Sequence, residues 1–513
     1  VYDCRCRDYL VRFRWRIGNE LMPLGAFKVA LLGAAGSGSK SYWALMLHPN
    51  TDGDESTFYG IDVDSNDNVY LGYYDSSGYE AYITKFEQSG DVPTVDTEKV
   101  LTNYVSPFNL TIWDDGGTDV LTFSGSRGGI TESCFMYSLE TDLTAVYGGL
   151  ASGIYMQSGD QTSNGSIQTE VNVGDGTFYW SSIDALNYFG WKRVQAGCWL
   201  KYGWSNNSTA YPGSQIGGGF SVDSGGVKGN QGFQWGDDQY GTVVNVYGTF
   251  CIAGQKGTNG MTQLGSIWEF DGTKSGVNDP VTGAAWNPGE TTDDYLYWVI
   301  ASNATSSPSV DLVKINTSGT IQWNRQLTGN NMYSPGSTGG AGAGGGALCK
   351  PIFDSSNNVY IAWGDRLATG QDRASIAKYN SSGVLQWQNQ IITLGTGGNQ
   401  FCPTQLRLSD DGEDLYVSIN RTGQGGSNGF TAAAGLLLKV PSDGTMTSSS
   451  YTALNGGLFK YMTSTYTESS STVSVNTSGS TANWQSQSSA SIAGTSYPYI
   501  GGFSSYLHTA ELV

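Results

Sequence analysis

Asp62, Asp64, Asn66 and Asn68 alternate along DVDSNDN, an array of oxygens that mimics a calcium-binding loop. Such a loop needs a glycine after its third ligand and a bidentate glutamate at its end, and Asp67 and Tyr73 stand at those places. The same letters suit a hairpin turn whose Asx side chains satisfy nearby amides, so turn formation is expected here and a metal is not. GAAGSGSKS, residues 33–41, has the flavour of a phosphate loop but breaks the pattern. Ala34 and Ser39 occupy the two glycine positions, and the strand-like YWALML follows where a helix is required. No cofactor is expected.

Histidine occurs only at His48 and His508, at opposite ends of the chain, which disfavours a Ser-His-Asp or histidine-metal hydrolase. A glycosidase can work with two carboxylates alone, about 5 to 9 Å apart, and the chain has 45 acidic residues from which to draw them. SVDSGG, residues 221–226, shares part of the sialidase Asp-box S-x-D-x-G-x-[TV]-[WYF], with Lys228 in place of the aromatic residue. No arginine cluster accompanies it, and no catalytic residue is assigned. The seven cysteines (Cys4, Cys6, Cys134, Cys198, Cys251, Cys349 and Cys402) form no CxxC pair, and several lie inside apolar strands. They read as small buried hydrophobes.

Aromatic residues carry the remaining signal. Trp180, Tyr188, Phe189 and Trp191 crowd WSSIDALNYFGWKRV, and as loop residues they would suit recognition of glycan or protein. Packing between sheets explains the same residues.

What must position all of these is a repeat. DSNDNVYLGY from Asp64 returns 290 residues later as DSSNNVYIAW from Asp354, followed by AYITKFEQSG and ASIAKYNSSG respectively. Each copy reads as strand, Asx turn, aromatic β-branched strand, loop, strand ending in Lys, Ser-Gly, and a last strand bearing Trp. Weaker copies place the third-strand position at Lys85, Met136, Lys201, Glu269, Lys314, Lys378 and Lys439, at intervals of 45 to 68 residues. Four-stranded units at that period predict an all-β fold, a β-propeller of seven blades. YWALML, from Tyr42, resembles a Trp-bearing fourth strand placed ahead of the first complete copy. It is expected to pair into the last blade and close the ring. An edge strand of a separate N-terminal piece is the alternative.

The division expected is an N-terminal arm (1–39), the propeller (40–460) and a Ser/Thr-rich β extension (461–513) with strand-like alternation and recurring aromatics. The Gly-rich 334–348 reads as a surface loop. Residues 1–21 hold five arginines and differ in character from the rest of the chain, so the native chain is expected to begin at Met22. A composition of 72 Gly, 31 Tyr and 15 Trp agrees with a turn-rich β protein. The net charge of −19, without clustered Lys and Arg beyond the first residues, argues against nucleic acid. FKVALLGAA is too short to span a membrane.

MPLGAF at 22–27, followed by a short apolar stretch and small residues, resembles the N-termini of virion structural proteins in tailed phages of marine bacteria. The D-x-x-x-N-V-Y turns and K-[YFIV]-x-x-x-G-x-x-x-W endings resemble bacterial and viral propeller repeats, which implies fold far more than function. Together these readings lead to the expectation of a non-enzymatic propeller, on a virion or outside a cell, meeting host glycan or a neighbouring virion or cell-surface protein. A secreted polysaccharide hydrolase or lyase and a purely architectural virion component are the alternatives.

Overall fold

A computed structural model describes the backbone of residues 42–48, of the blade strands and short turns between 56 and 445, and of 449–452, 458–478, 484–487 and 509–512. Side chains are described for parts of these, and for none between 145 and 284. The N-terminal arm, the loop 334–348 and the sequence 33–41 lie outside the described residues.

The strands form seven antiparallel sheets, each a meander of four, and the fold is a β-propeller. Blade 1 runs through Ser56–Val63, Val69–Asp75, Glu80–Glu87 and Thr94–Leu101, and blade 2 through Val105–Asp114, Asp119–Ser126, Glu132–Glu140 and Ile154–Gln157. Blade 3 comprises Gln168–Asn172, Thr177–Ile183, Phe189–Gln195 and Cys198–Trp204; blade 4 comprises Gln215–Asp223, Gly226–Gln234, Thr249–Gly257 and Gly260–Asp271. Blade 5 holds Val281–Asn287, Tyr295–Ser302, Ser309–Asn316 and Ile321–Thr328; blade 6 holds Ile352–Phe353, Val359–Arg366, Asp372–Tyr379 and Leu385–Thr393. Blade 7 takes Gln400–Leu408, Asp414–Thr422 and Gly435–Pro441 from late in the chain and its fourth strand, Trp43–His48, from the beginning. Trp43 pairs with Lys439 and Leu47 with Gly435, so the Tyr42 segment closes the ring.

Because neighbouring blades cover both faces, a middle strand is buried along its whole length rather than at every second residue. All eight residues of Ser309–Asn316 but the last are buried, whereas the outer Ile321–Thr328 is mostly half-exposed and carries Gln, Asn and Arg. Clusters of buried side chains lie between consecutive blades: Trp43, Leu45, Tyr416 and Leu437 of blade 7 pack on Ile61, Leu71 and Tyr73 of blade 1. Tyr297, Val299 and Leu312 of blade 5 pack likewise on Val359, Trp363 and Tyr379 of blade 6.

Register corrects three of the seven expected third-strand positions. In blade 2 the residue opposite Leu121, which matches Tyr70 of blade 1, is Leu139 rather than Met136. In blades 3 and 4, Lys201 and Glu269 fall on the fourth strands; the third strands are Phe189–Gln195 and Thr249–Gly257. The fourth strands there read CWLKY and SIWEF, an ending that mimics the third-strand pattern.

The C-terminal segment runs back round the rim against the order of the blades. Leu458–Thr463 adds a strand to the outer edge of blade 6, Thr467–Ser469 to blade 5, Ser474–Ser478 to blade 4 and Trp484–Gln487 to blade 3. Thr509–Leu512 then pairs with the closing strand of blade 7. Ser449–Thr452 forms a hairpin with Leu458–Thr463.

Candidate functional site

The Asx turn between first and second strands is built the same way in blades 1 and 6. Asp64 Oδ1 accepts the N–H groups of Asn66 and Asn68, both at 2.9 Å, and its Oδ2 accepts Asn68 Nδ2 (2.8 Å) and the Tyr70 hydroxyl (3.1 Å). Asp354 Oδ1 accepts Ser356 N and Asn358 N, and its Oδ2 accepts Asn358 Nδ2 and the Tyr360 hydroxyl. Asp67 and Asn357 sit at the same turn position with φ of 62° and 61°, the left-handed region that Asp and Asn enter most readily among residues with a side chain. Asp62 is committed elsewhere. Its Oδ1 accepts Arg407 Nε of blade 7 at 3.0 Å, and its Oδ2 accepts the Ile112 N–H of blade 2 at 2.6 Å, so it links three first strands. Among the described residues no group of acidic, His or Cys side chains is arranged to hold a metal ion. The carboxylates of Asp62 and Asp64 serve an interblade contact and a turn, and Asn68 Oδ1 accepts the Gln88 N–H at 3.2 Å. Cys349 is buried in the core between blades 6 and 7, where burial pushes its thiol up to about 12, as suits a small hydrophobe rather than a nucleophile.

In blades 1, 5, 6 and 7 second-strand Tyr faces third-strand Lys: Tyr70 with Lys85, Tyr297 with Lys314, Tyr360 with Lys378 and Tyr416 with Lys439. Lys378 Nζ lies 3.1 Å from Asp354 and Lys439 Nζ 3.1 Å from Asp414. Burial alone would lower the Lys378 pKa, but Tyr360 and Asp354 outweigh it and hold the ammonium above its usual value. A lysine held protonated is a poor nucleophile, so the Tyr360–Lys378–Asp354 trio reads as an internal brace rather than a catalytic group.

The repeat's other letters join blade to blade. Tyr70 Oη donates to Thr141 O of blade 2 at 2.8 Å, and Tyr360 Oη to Ser442 O of blade 7 at 3.3 Å. Trp323 Nε1 donates to Ser381 O of blade 6, and Trp387 Nε1 to Ser442 O of blade 7. Each indole lies against the next blade's turn glycine: a Cβ on Gly383 would stand 2.6 Å from Trp323, and one on Gly444 would stand 2.5 Å from Trp387. Trp43 of the closing strand holds the equivalent place opposite Lys439, and at the seam it donates to a side chain, Gln88 Oε1 of blade 1, at 3.3 Å.

The turns of blades 7, 1 and 2 enclose an open cleft of about 770 Å³ lined by Val63–Ser65, Ile112, Trp113, residues 117–119, residues 140–142 and Asp410. Five carboxylates line it (Asp64, Asp119, Glu140, Asp142 and Asp410) and no Lys or Arg does. Ser65 Oγ donates to Asp119 Oδ2 at 3.3 Å across the blade 1–2 boundary. Slight burial pushes the Asp142 carboxyl up, but the Thr144 hydroxyl and N–H, with Lys85 and Lys99, hold it below the ordinary value. Behind the cleft, burial pushes the Lys99 ammonium down to about 8 against the pull of Asp142. Asp142 therefore keeps its negative charge at neutral pH.

Of the aromatic residues singled out for binding, Trp180 lies on the second strand of blade 3, and Phe189 and Trp191 lie on the third. They belong to a hairpin rather than to a long loop. Their side chains, and Tyr188 altogether, lie outside the described residues. The acidic cleft escaped sequence reading because its carboxylates come from three blades distant in sequence, and only the ring brings Asp410 beside Asp64 and Asp142.

No protein-family model matches the chain, and no curated protein matches it. Solved structures do, among them the following at low identity. Drosophila Semaphorin 2a matches at 9% identity over 72% of this chain and 74% of that one, with a TM-score of 0.38. GH43B of the Bacteroides ovatus xyloglucan PUL matches at 9% identity over 82% and 100%, with a TM-score of 0.26. GH43 BlXynB from Bacillus licheniformis matches at 8% identity over 82% and 100%, with a TM-score of 0.27. These similar structures are β-propellers, the class to which the seven-bladed ring belongs.

Proposed function

We propose that this protein is a non-enzymatic surface-recognition propeller of a virion or extracellular structure, and that its partner presents a basic protein surface. The acidic cleft carries this reading: five carboxylates converge on the turn face of three consecutive blades with no cation lining the space between them. A field of one sign at an open cleft attracts and orients a partner of the opposite sign. The MPLGAF opening supports the virion setting, and of the two partner classes, glycan and neighbouring protein, the charge favours the protein.

Binding to immobilised oligolysine tests the reading. The full chain is expected to bind at low salt and to release as the Debye length shrinks toward about 3 Å at 1 M salt. The variant Asp119→Asn, Glu140→Gln, Asp410→Asn should bind at least tenfold more weakly. Equal binding by that variant would refute the cleft as the recognition surface. Release of reducing sugar from a polysaccharide panel by the native chain would refute the non-enzymatic assignment.

The rim favours a second, architectural reading, because five of the seven blades carry an added outer strand among the described residues. The outermost added strands run to only three to five residues, and edges so short resist pairing with foreign chains, as suits a component of a dense assembly.

A further inference from the structure

The C-terminal segment grips blades 6 and 5 through the same short unit used twice. Ser464-Thr465-Tyr466 follows the edge strand on blade 6, and Ser471-Thr472-Val473 follows the edge strand on blade 5, seven residues further on. In each unit the serine hydroxyl accepts the N–H two residues ahead, Tyr466 N at 3.4 Å and Val473 N at 3.0 Å. The same hydroxyl donates to a blade acceptor, Gln388 Oε1 at 2.9 Å for Ser464 and Asp311 Oδ1 for Ser471. The carbonyl of the third residue accepts a side-chain amide next to the blade's tryptophan. Gln388 Nε2, beside Trp387, reaches Tyr466 O at 2.8 Å, and Asn324 Nδ2, beside Trp323, reaches Val473 O at 3.2 Å.

The third side chain goes inward in both. Tyr466 is 5% exposed and Val473 is 8% exposed. The Tyr466 ring packs on Trp363 with centroids 5.3 Å apart and lies 4.5 Å from the Arg373 guanidinium. Its hydroxyl bonds Asp365 Oδ2 and Ser375 Oγ, both at 2.7 Å. Asp365 and Arg373 form a buried ion pair, and the tyrosine completes their cover.

Two blades thus present the same receptor elements to the same ligand elements: an outer edge for strand addition, an amide after the tryptophan, and a place where the third side chain is buried. We propose that the rim of blades 5 and 6 is a peptide-binding groove for extended Ser-x-Φ segments, where Φ is aromatic or aliphatic, and that the chain's own C-terminal segment occupies it. Backbone pairing supplies general affinity, while the serine and Φ seats supply selectivity, the division of labour seen in strand-addition recognition.

The full chain, folded first, carries a specific protease site inserted between Thr452 and Leu458 and is then cut. The two pieces are expected to co-elute on size exclusion, and a fluorescent peptide of residues 458–478 should exchange into the groove under mild denaturant. The same peptide with Ser464→Ala, Tyr466→Ala and Ser471→Ala should incorporate at least tenfold less. Separation of the pieces on cutting, or equal incorporation of the two peptides, would overturn the proposal.

Discussion

Gly444 and Gly412 provide a matched pair for testing whether the repeat's glycine and tryptophan join the blades. Both lie in blade 7 with φ of 72°. A Cβ at Gly412 meets nothing within 4 Å, whereas one at Gly444 would stand 2.5 Å from Trp387 Cγ of blade 6. Gly412→Ala should therefore cost only the left-handed backbone penalty, about 1 kcal/mol. Gly444→Ala carries that penalty and must also push the indole off its seat, where Trp387 Nε1 donates to Ser442 O at 3.1 Å. Overpacking of that kind adds about 1–3 kcal/mol, for a total of about 2–4 kcal/mol. Urea unfolding followed by tryptophan fluorescence measures the difference, and in a Trp387→Ala background the excess at Gly444 should vanish. Equal destabilisation by the two alanines, or an excess that survives removal of Trp387, would refute the proposed role of the glycine.

The buried polar groups give three further expected outcomes. Tyr360→Phe removes the bonds to Asp354 and to Ser442 O of the next blade and should lower unfolding stability by about 1–2 kcal/mol, measured by the same urea titration. Burial would raise the Asp354 pKa, but Asn358 and Lys378 outweigh it and hold it below 3.8. Its stabilising contribution is thus complete above pH 3.8 and is lost as pH falls through the lower folded value, and Asp354→Asn should show a flatter acid limb in circular dichroism. Lys99 slopes the same way in the alkaline range: with a folded pKa of about 8 against an ordinary 10.5, burial disfavours its charged form, and stability rises with pH between those values. Lys99→Met should remove that rise, read as the native-minus-variant stability difference between about pH 7 and pH 9.5.

The blade was legible in the sequence where a single residue must do a single geometric task. Asp64 and Asp354 cap turns, Asp67 and Asn357 enter left-handed backbone, and Trp323 and Trp387 rest on a glycine of the next blade. These needs recur, so their letters recur. The closing strand was legible for the same reason, since Trp43 stands opposite Lys439 as Trp323 stands opposite Lys314 and Trp387 opposite Lys378. Blades 3 and 4 were misaligned because CWLKY and SIWEF put an aromatic and a charged residue on outer strands in the order expected one strand earlier. The acidic cleft and the rim groove were hidden, since they arise between elements distant in sequence: Asp410 with Asp142, and Tyr466 with Asp365. The binding unit at 464–466 and 471–473 is only three residues long, and in a Ser/Thr-rich stretch its repetition is lost among similar letters.

The central claim is that the chain closes into a ring by pairing its first described strand with the last blade. Ala44 and Leu438 are direct partners across that seam, while Val417 lies one strand further away. Paired strand positions lie about 4.5–5.5 Å apart at Cα, within reach of a disulfide, and a position two strands away lies about 9–10 Å off. Cysteines at 44 and 438 should cross-link on mild oxidation, identified by peptide mass, and cysteines at 44 and 417 should not. Absence of the 44–438 link in folded protein, or equal formation of the 44–417 link, would contradict closure of the ring by Trp43–His48.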